Sequence, residues 1–272
     1  MWFSVASQPG SSEVPNEDRA FANGEIFVVL DGLTARTDSG CVHGVAWFAE
    51  KLCDSITSIA SGPLVQALSR AIGRTAALHS STCDLRNVAT PCAAVGIVLC
   101  RDGVFEYLVL GDVTLVIETP GNEFSVVTDS RIGRSARRER DFADALPYGS
   151  SEKANALVAM KRAELECRNR EGGYWIAGSD PSAAEHALVG RFGASSVGRF
   201  ALLTDGAARA VDLFGMFDWS HAFKLLADRG AHGLIGAVRH VESSDPAVLR
   251  WPRNKVSDDA SVVYAELRPC MR

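Results

Sequence analysis

The sequence lacks several things that would assign it to a broad class at once. No apolar run approaches the roughly 18 residues that a membrane-crossing helix needs. The start, Met1-Trp2-Phe3-Ser4, has no basic segment and no hydrophobic block of the secretory kind, so a cytoplasmic protein is expected. Positive charge is scarce: 28 Lys and Arg face 33 Asp and Glu, for a net charge of -5. A nucleic-acid partner, which needs a basic footprint, is therefore not expected, nor is a membrane. The one basic cluster runs from Arg131 to Arg140 and reads as a solvated loop or helix face. The seven cysteines include no CxxC pair. Several lie inside apolar runs, as Cys100 does, which fits buried reduced thiols better than disulfides or a zinc site. There is no internal repeat, low-complexity tract or Pro/Gly/Ser-rich linker, so residues 1–272 are expected to form a single domain.

What is present is a clear order of periodicities. Trp2 to Ala6 and Ile26 to Leu30 read as strands. From Val42 to Ile59 the apolar residues fall at helical spacing, Ser61-Gly62-Pro63 stops the pattern, and Leu64 to Thr75 resumes it. Ala93 to Cys100, Val104 to Leu110, Val113 to Ile117 and Glu123 to Thr128 alternate with glycine-containing turns and predict an antiparallel meander. Arg131 to Gly149 is polar and turn-rich and reads as a mobile connection. Beyond it come a helix over 154–168, a strand over 174–177, a short helix over 182–188 and a strand over 199–204. A helix pair at 219–227 and 234–241 and a closing strand over 261–267 complete the order. The expectation is an α+β fold, a four-layer helix–sheet–sheet–helix sandwich with mainly antiparallel sheets and flanking helix pairs.

Four acidic signatures sit at the ends or starts of these apolar runs. They are Asn16-Glu17-Asp18-Arg19, Leu30-Asp31-Gly32, Leu203-Thr204-Asp205-Gly206 and Asp258-Asp259-Ala260-Ser261. An aspartate at a strand end followed by glycine can offer its carboxylate and a nearby carbonyl to one cation, because glycine lets the backbone turn sharply. Taken singly, each signature is also an ordinary polar turn or strand entry. Taken together, hard oxygen donors of this kind suit Mg²⁺ or Mn²⁺ rather than zinc.

With Val28-Val29-Leu30-Asp31-Gly32, Leu110-Gly111-Asp112 and Asp258-Asp259-Ala260-Ser261-Val262-Val263 in this order, the chain resembles the metal-dependent protein phosphatases of type 2C. Gly172 to Pro181 is similar to stretches in a bacterial branch of that family. The resemblance implies the same sandwich, and two Mn²⁺ or Mg²⁺ ions in a cleft between its sheets. It implies that Asp31 bridges the ions, Glu17 and the Gly32 carbonyl complete one site, and Asp205 and Asp258 hold the other. Asp18 would hydrogen-bond metal-bound water, and Asp112 would match the position of a third, weaker ion. The implied reaction is hydrolysis of phosphomonoesters by a hydroxide held between the metals, most simply on phosphorylated serine or threonine in proteins.

Three departures from the family pattern stand out. Glu13 occupies the position where the family usually has a phosphate-gripping arginine; a carboxylate about 4 Å from a phosphate costs about 1 kcal/mol in water and about 4 at an effective dielectric of 20. Arg19, Arg36, His43 and the basic cluster are the candidate replacements. Asp112 is followed by Val113 rather than serine, and Asp259 stands in place of an asparagine. Alternatives are a catalytically degenerate binding module and a phosphatase of small, non-protein phosphate esters. A haloacid-dehalogenase-type enzyme, suggested by Asp31-Gly32-Leu33-Thr34, needs a nucleophilic aspartate where this chain has Val29.

Overall fold

The fold follows from strands whose two faces are both apolar. In the computed structural model, which describes residues 1–58 and 62–267, ten strands form two five-stranded sheets. The first contains β1 (Trp2–Gln8), β6 (Thr114–Glu118), β7 (Phe124–Val127), β9 (Arg199–Leu203) and β10 (Ala260–Glu266) in the order β1-β10-β9-β6-β7. The second contains β2 (Arg19–Ala22), β3 (Ile26–Gly32), β4 (Ala93–Arg101), β5 (Val104–Leu110) and β8 (Leu188–Gly193) in that order. All pairings within the sheets are antiparallel.

The period-2 alternation of side chains assigns each face its layer. On β3, Phe27 and Val29 point into the space between the sheets, where they meet Phe105, Leu115, Phe200 and Val263. Ile26, Val28 and Leu30 point the other way, onto Phe48, Leu52, Leu68 and Ile72 of helices α1 (Gly44–Ser58) and α2 (Leu64–His79). On the far side, Ala201 and Leu203 of β9 meet Phe223, Leu234 and Val238. Those belong to α7 (Trp219–Ser244), which packs with α6 (Asp205–Asp212). Burying one such side chain contributes about 1.5–3 kcal/mol. The layers are therefore helix, sheet, sheet, helix, as expected.

Between residues 111 and 113 the chain passes from one sheet to the other, and this corrects the expected meander. β4 and β5 form a hairpin in one sheet, β6 and β7 a hairpin in the other. Gly111 makes the transition with φ +82°, and Val113 fills the inter-sheet space left by Gly96. A Cβ on Gly96 would lie 2.6 Å from Val113 Cγ1, so the two residues fit only as this pair.

The segment expected as a mobile connection is helical: α3 (Arg131–Arg134), α4 (Arg137–Asp144) and then α5 (Ser151–Cys167). Two of its arginines are tied down, Arg131 to Asp129 at 2.6 Å and Arg140 to Glu164. Residues 174–177 make only isolated bridges, Tyr174 with Arg168 and Ala177 with Ala93, instead of a strand. The expected helix pair at 219–241 is α7, broken at Gly230, where φ is +66° and Ser4 packs close. Ile59, Ser61 and Cys270, which entered the sequence reading, lie outside the described residues. Among the described residues no helix is long and apolar enough to cross a membrane.

Candidate active site

The carboxylates converge where the strands of both sheets end. Asp31 is the penultimate residue of β3, held in register opposite Ala94 of β4. Asp205 starts α6 one residue beyond the end of β9, and its backbone N–H donates to Asp31 Oδ2 at 3.2 Å, so the two sheets meet at these two residues. Asp18 precedes β2 and is buried. Thr204 Oγ1 donates to Asp18 Oδ2 at 2.8 Å and accepts from the Ser261 N–H at 2.9 Å. Asp112 sits at the crossing between the sheets, and Asp258 and Asp259 precede β10. A cleft of about 170 Å³ is lined by Asp18, Asp31, Asp112, Asp205, Asp258 and Asp259.

Two glycines let the segments close on one another. A Cβ on Gly32 would lie 2.5 Å from the Glu17 carbonyl oxygen, and one on Gly206 would lie 2.0 Å from that of Asp259. Asp259 acts as a backbone anchor: its Oδ1 accepts from the Gly10 N–H at 2.8 Å and its Oδ2 from the Glu17 N–H at 2.6 Å. The aspartate that replaces the family's asparagine thus fastens the Glu17 segment to the start of β10. Thr34 donates from Oγ1 to Glu17 Oε2 and fixes that carboxylate.

The crowding of acids is visible in their proton affinities. Desolvation raises the Asp31 pKa well above the ordinary carboxylate value, and Asp205, Asp18 and Asp112 add to the rise. Asp18 is raised well above it by its burial, against the Thr204 hydrogen bond. Asp112 is pushed up to about 7 by desolvation and by Asp205. Asp205 and Glu17 are also raised, again mainly by desolvation. Buried carboxylates that repel one another leave an excess of negative charge that a cation would offset.

Part of that charge is met by side chains the sequence reading missed. Lys255 Nζ donates to Asp258 Oδ1 at 2.6 Å and to Thr34 Oγ1 at 3.0 Å. Arg209 donates to Asp258 Oδ2 at 2.8 Å and to Glu242 Oε1 at 3.0 Å. Lys255 stands three residues before Asp258, a local signal that was readable. The partnership of Arg209 and Asp258 spans 49 residues and was not.

The three candidate phosphate contacts separate. Arg36 lines the cleft and has no hydrogen-bond or ion-pair partner among the described residues. Arg19 turns away: its guanidinium donates to the carbonyls of Asn16, Asp18 and Ala46. His43 stacks on Trp47, with ring centroids 4.3 Å apart, and its Nε2 lies 3.3 Å from Thr82 Oγ1, at a different place from the cleft. Glu13 is solvent-exposed and is not among the residues that line the cleft. Of the basic cluster, only Arg140 reaches the cleft, paired with Glu164.

Two antiparallel sheets thus meet over a pool of carboxylates. The Protein phosphatase 2C family matches residues 10–233, and the chain belongs to that family. It is similar in fold to the serine/threonine phosphatase PstP/Ppp of Mycobacterium tuberculosis, with a TM-score of 0.60 at 12% identity over 98% of this chain and 99% of that one. It is similar to the phosphatase MsPP of Mycobacterium smegmatis in complex with cacodylate, with a TM-score of 0.58 at 17% identity over 98% and 99% of the two chains. The PstP catalytic domain with two manganese ions gives a TM-score of 0.55 at 12% identity over 97% of each chain. No curated protein matches the chain.

Proposed function

We propose that this chain is a divalent-metal-dependent phosphomonoesterase acting on phosphorylated serine or threonine of proteins. The observation that carries the reading is the convergence of Asp18, Asp31, Asp112, Asp205 and Asp258 on one cleft beside the unpartnered Arg36. The donor set fits Mn²⁺ or Mg²⁺: every candidate ligand is a hard oxygen, and the buried, mutually repelling carboxylates of Asp31, Asp18 and Asp205 are ones a bound cation would relieve. Glu17, Asp31, the Gly32 carbonyl, Asp205 and Asp258 would hold two ions, and Asp112 a third. Bound, such ions acidify water and offset charge on phosphoryl oxygens.

The protein's own groups perform the remaining tasks. Thr204 holds Asp18 Oδ2, which leaves Oδ1 to orient the attacking water. Thr34 and Asp259 fix the side chain and backbone of Glu17. Arg36 offers a planar fork to two phosphate oxygens, the task for which the family's missing arginine is suited. Among the described residues no Ser or Cys lines the cleft, which supports direct attack by water over a phosphoserine or phosphocysteine intermediate.

One observation favours a second reading, a binding module of low activity: Lys255 and Arg209 already occupy both oxygens of Asp258. Hydrolysis of p-nitrophenyl phosphate and of a phosphothreonine peptide, with and without Mn²⁺, separates the two. Metal-stimulated turnover that Asp31→Ala and Asp205→Ala each abolish supports the enzyme. Metal binding without turnover supports the module. Turnover of the small ester alone would remove the protein substrate.

A further inference from the structure

A second cluster of ligating side chains lies outside the cleft. Cys41 is in the loop before α1, His79 is the last residue of α2, and Cys83 is in the turn that follows it. Cys41 Sγ is 3.6 Å from His79 Nδ1 and 3.2 Å from Cys83 Sγ. The three ligand atoms lie within 4.8 Å of one another, the only such set of three among the described residues. We propose that Cys41, His79 and Cys83 form a structural binding site for Zn²⁺.

The distances suit that ion. A tetrahedral centre with Zn–S of about 2.3 Å and Zn–N of about 2.0–2.1 Å sets ligand atoms about 3.8 Å apart for S···S and about 3.6 Å for S···N. The Cys41–His79 edge is already at that length, the Cys83–His79 edge lies within 4.8 Å, and the S···S edge must open by about half an ångström. Three protein donors leave the fourth corner for water. Cys41 and Cys83 are free thiols, well beyond the S–S length of about 2.05 Å of a disulfide.

The surroundings are arranged around the sulfurs. The N–H groups of Val42 and His43 point at Cys83 Sγ, and those of His43 and Gly44 at Cys41 Sγ. Gly40 and Gly44, at φ +64° and +78°, wrap the loop around the pair. His79 is 1% exposed, its ring packs on Trp47 and Phe48, and its Nε2 has no partner. Its Nδ1 is the nitrogen that faces Cys41 Sγ, at 3.6 Å.

The ion would staple the loop to α2, reinforcing the bond from the Asp84 N–H to the Gly40 carbonyl at 2.9 Å. The same loop carries Thr34 and Arg36 into the cleft at its other end. Thiolate and imidazole select a softer ion than the carboxylates of the cleft, so the two sites would sort Zn²⁺ from Mn²⁺ and Mg²⁺.

Cobalt(II) tests the site in the reduced, metal-stripped full chain with Mn²⁺ in excess, because carboxylates give no thiolate-to-cobalt band. The expected result is a charge-transfer band that saturates at one equivalent of cobalt and is displaced by Zn²⁺. Cys41→Ser and Cys83→Ser lose the band, whereas Cys167→Ser keeps it. Zn²⁺ also raises the melting temperature of the wild type and leaves that of Cys83→Ser unchanged, with circular dichroism confirming that the variants fold. Absence of the band at excess cobalt, its persistence in both serine variants, or mass-spectrometric detection of a Cys41–Cys83 disulfide in protein purified without reductant would each overturn the proposal.

Discussion

The Lys255 ammonium lies 2.6 Å from Asp258 Oδ1, on the carboxylate that the type 2C pattern assigns to a metal. A tethered cation and a free cation compete for the same oxygen. Lys255→Met is expected to lower the Mn²⁺ concentration for half-maximal activity by about tenfold, which corresponds to about 1.4 kcal/mol. An activity titration with Mn²⁺ measures it; an unchanged midpoint would mean that Lys255 and the metal use different oxygens.

Arg36 is expected to hold the phosphate. Arg36→Ala should raise KM for p-nitrophenyl phosphate by about tenfold and change kcat by less than about threefold, as for a contact made equally in the ground and transition states. Arg19→Ala, whose guanidinium serves backbone carbonyls, should leave KM in place. Steady-state kinetics on both variants decide between them.

The stacked carboxylates make the metal-free protein sensitive to pH in an unusual direction. Asp112 is raised from 3.8 to about 7, and Asp31 and Asp18 are raised as well. A raised carboxylate pKa means that the folded state binds the proton more tightly than the unfolded state. Stability in chelator should therefore fall as pH rises from about 4 to about 7. Thermal melts across that range should show the decline, Asp112→Asn should flatten part of it, and Mn²⁺ should restore stability at the upper end. A melting temperature that climbs with pH in chelator would contradict this account.

Gly206→Ala puts a methyl group 2.0 Å from the Asp259 carbonyl oxygen. The Asp258-Asp259 segment has to move, at a cost of about 1–3 kcal/mol. Denaturant melts should register the loss, and metal-dependent activity should fall with it. Gly236→Ala, in α7 with open space around it, is the control expected to leave both unchanged.

The motifs that mark the carboxylates were legible because each is local. Asp31-Gly32 and Asp205-Gly206 announce themselves through the apolar strand before them, and β5 runs from Val104 to Leu110 as its pattern predicts. The sheet change at Gly111 was hidden, because alternation reports a strand's faces and not its neighbour. β8 was missed because Leu188, Val189 and Phe192 are exposed edge residues among glycines. The helices from 131 to 144 were missed because Arg131 and Arg140 are held by Asp129 and Glu164, partners that polarity alone does not reveal. Likewise, Cys41 has its sulfur partner 42 residues away, beyond the reach of any spacing rule for paired cysteines.

The Asp259 carboxylate ties the N–H groups of Gly10 and Glu17 across separations of 249 and 242 residues. A nascent chain emerging from the ribosome therefore carries Gly10 and Glu17 long before the residue that anchors them is made. Contacts of such high sequence separation favour slow, late assembly of the site. The anchor on Glu17 would exist only in the finished molecule.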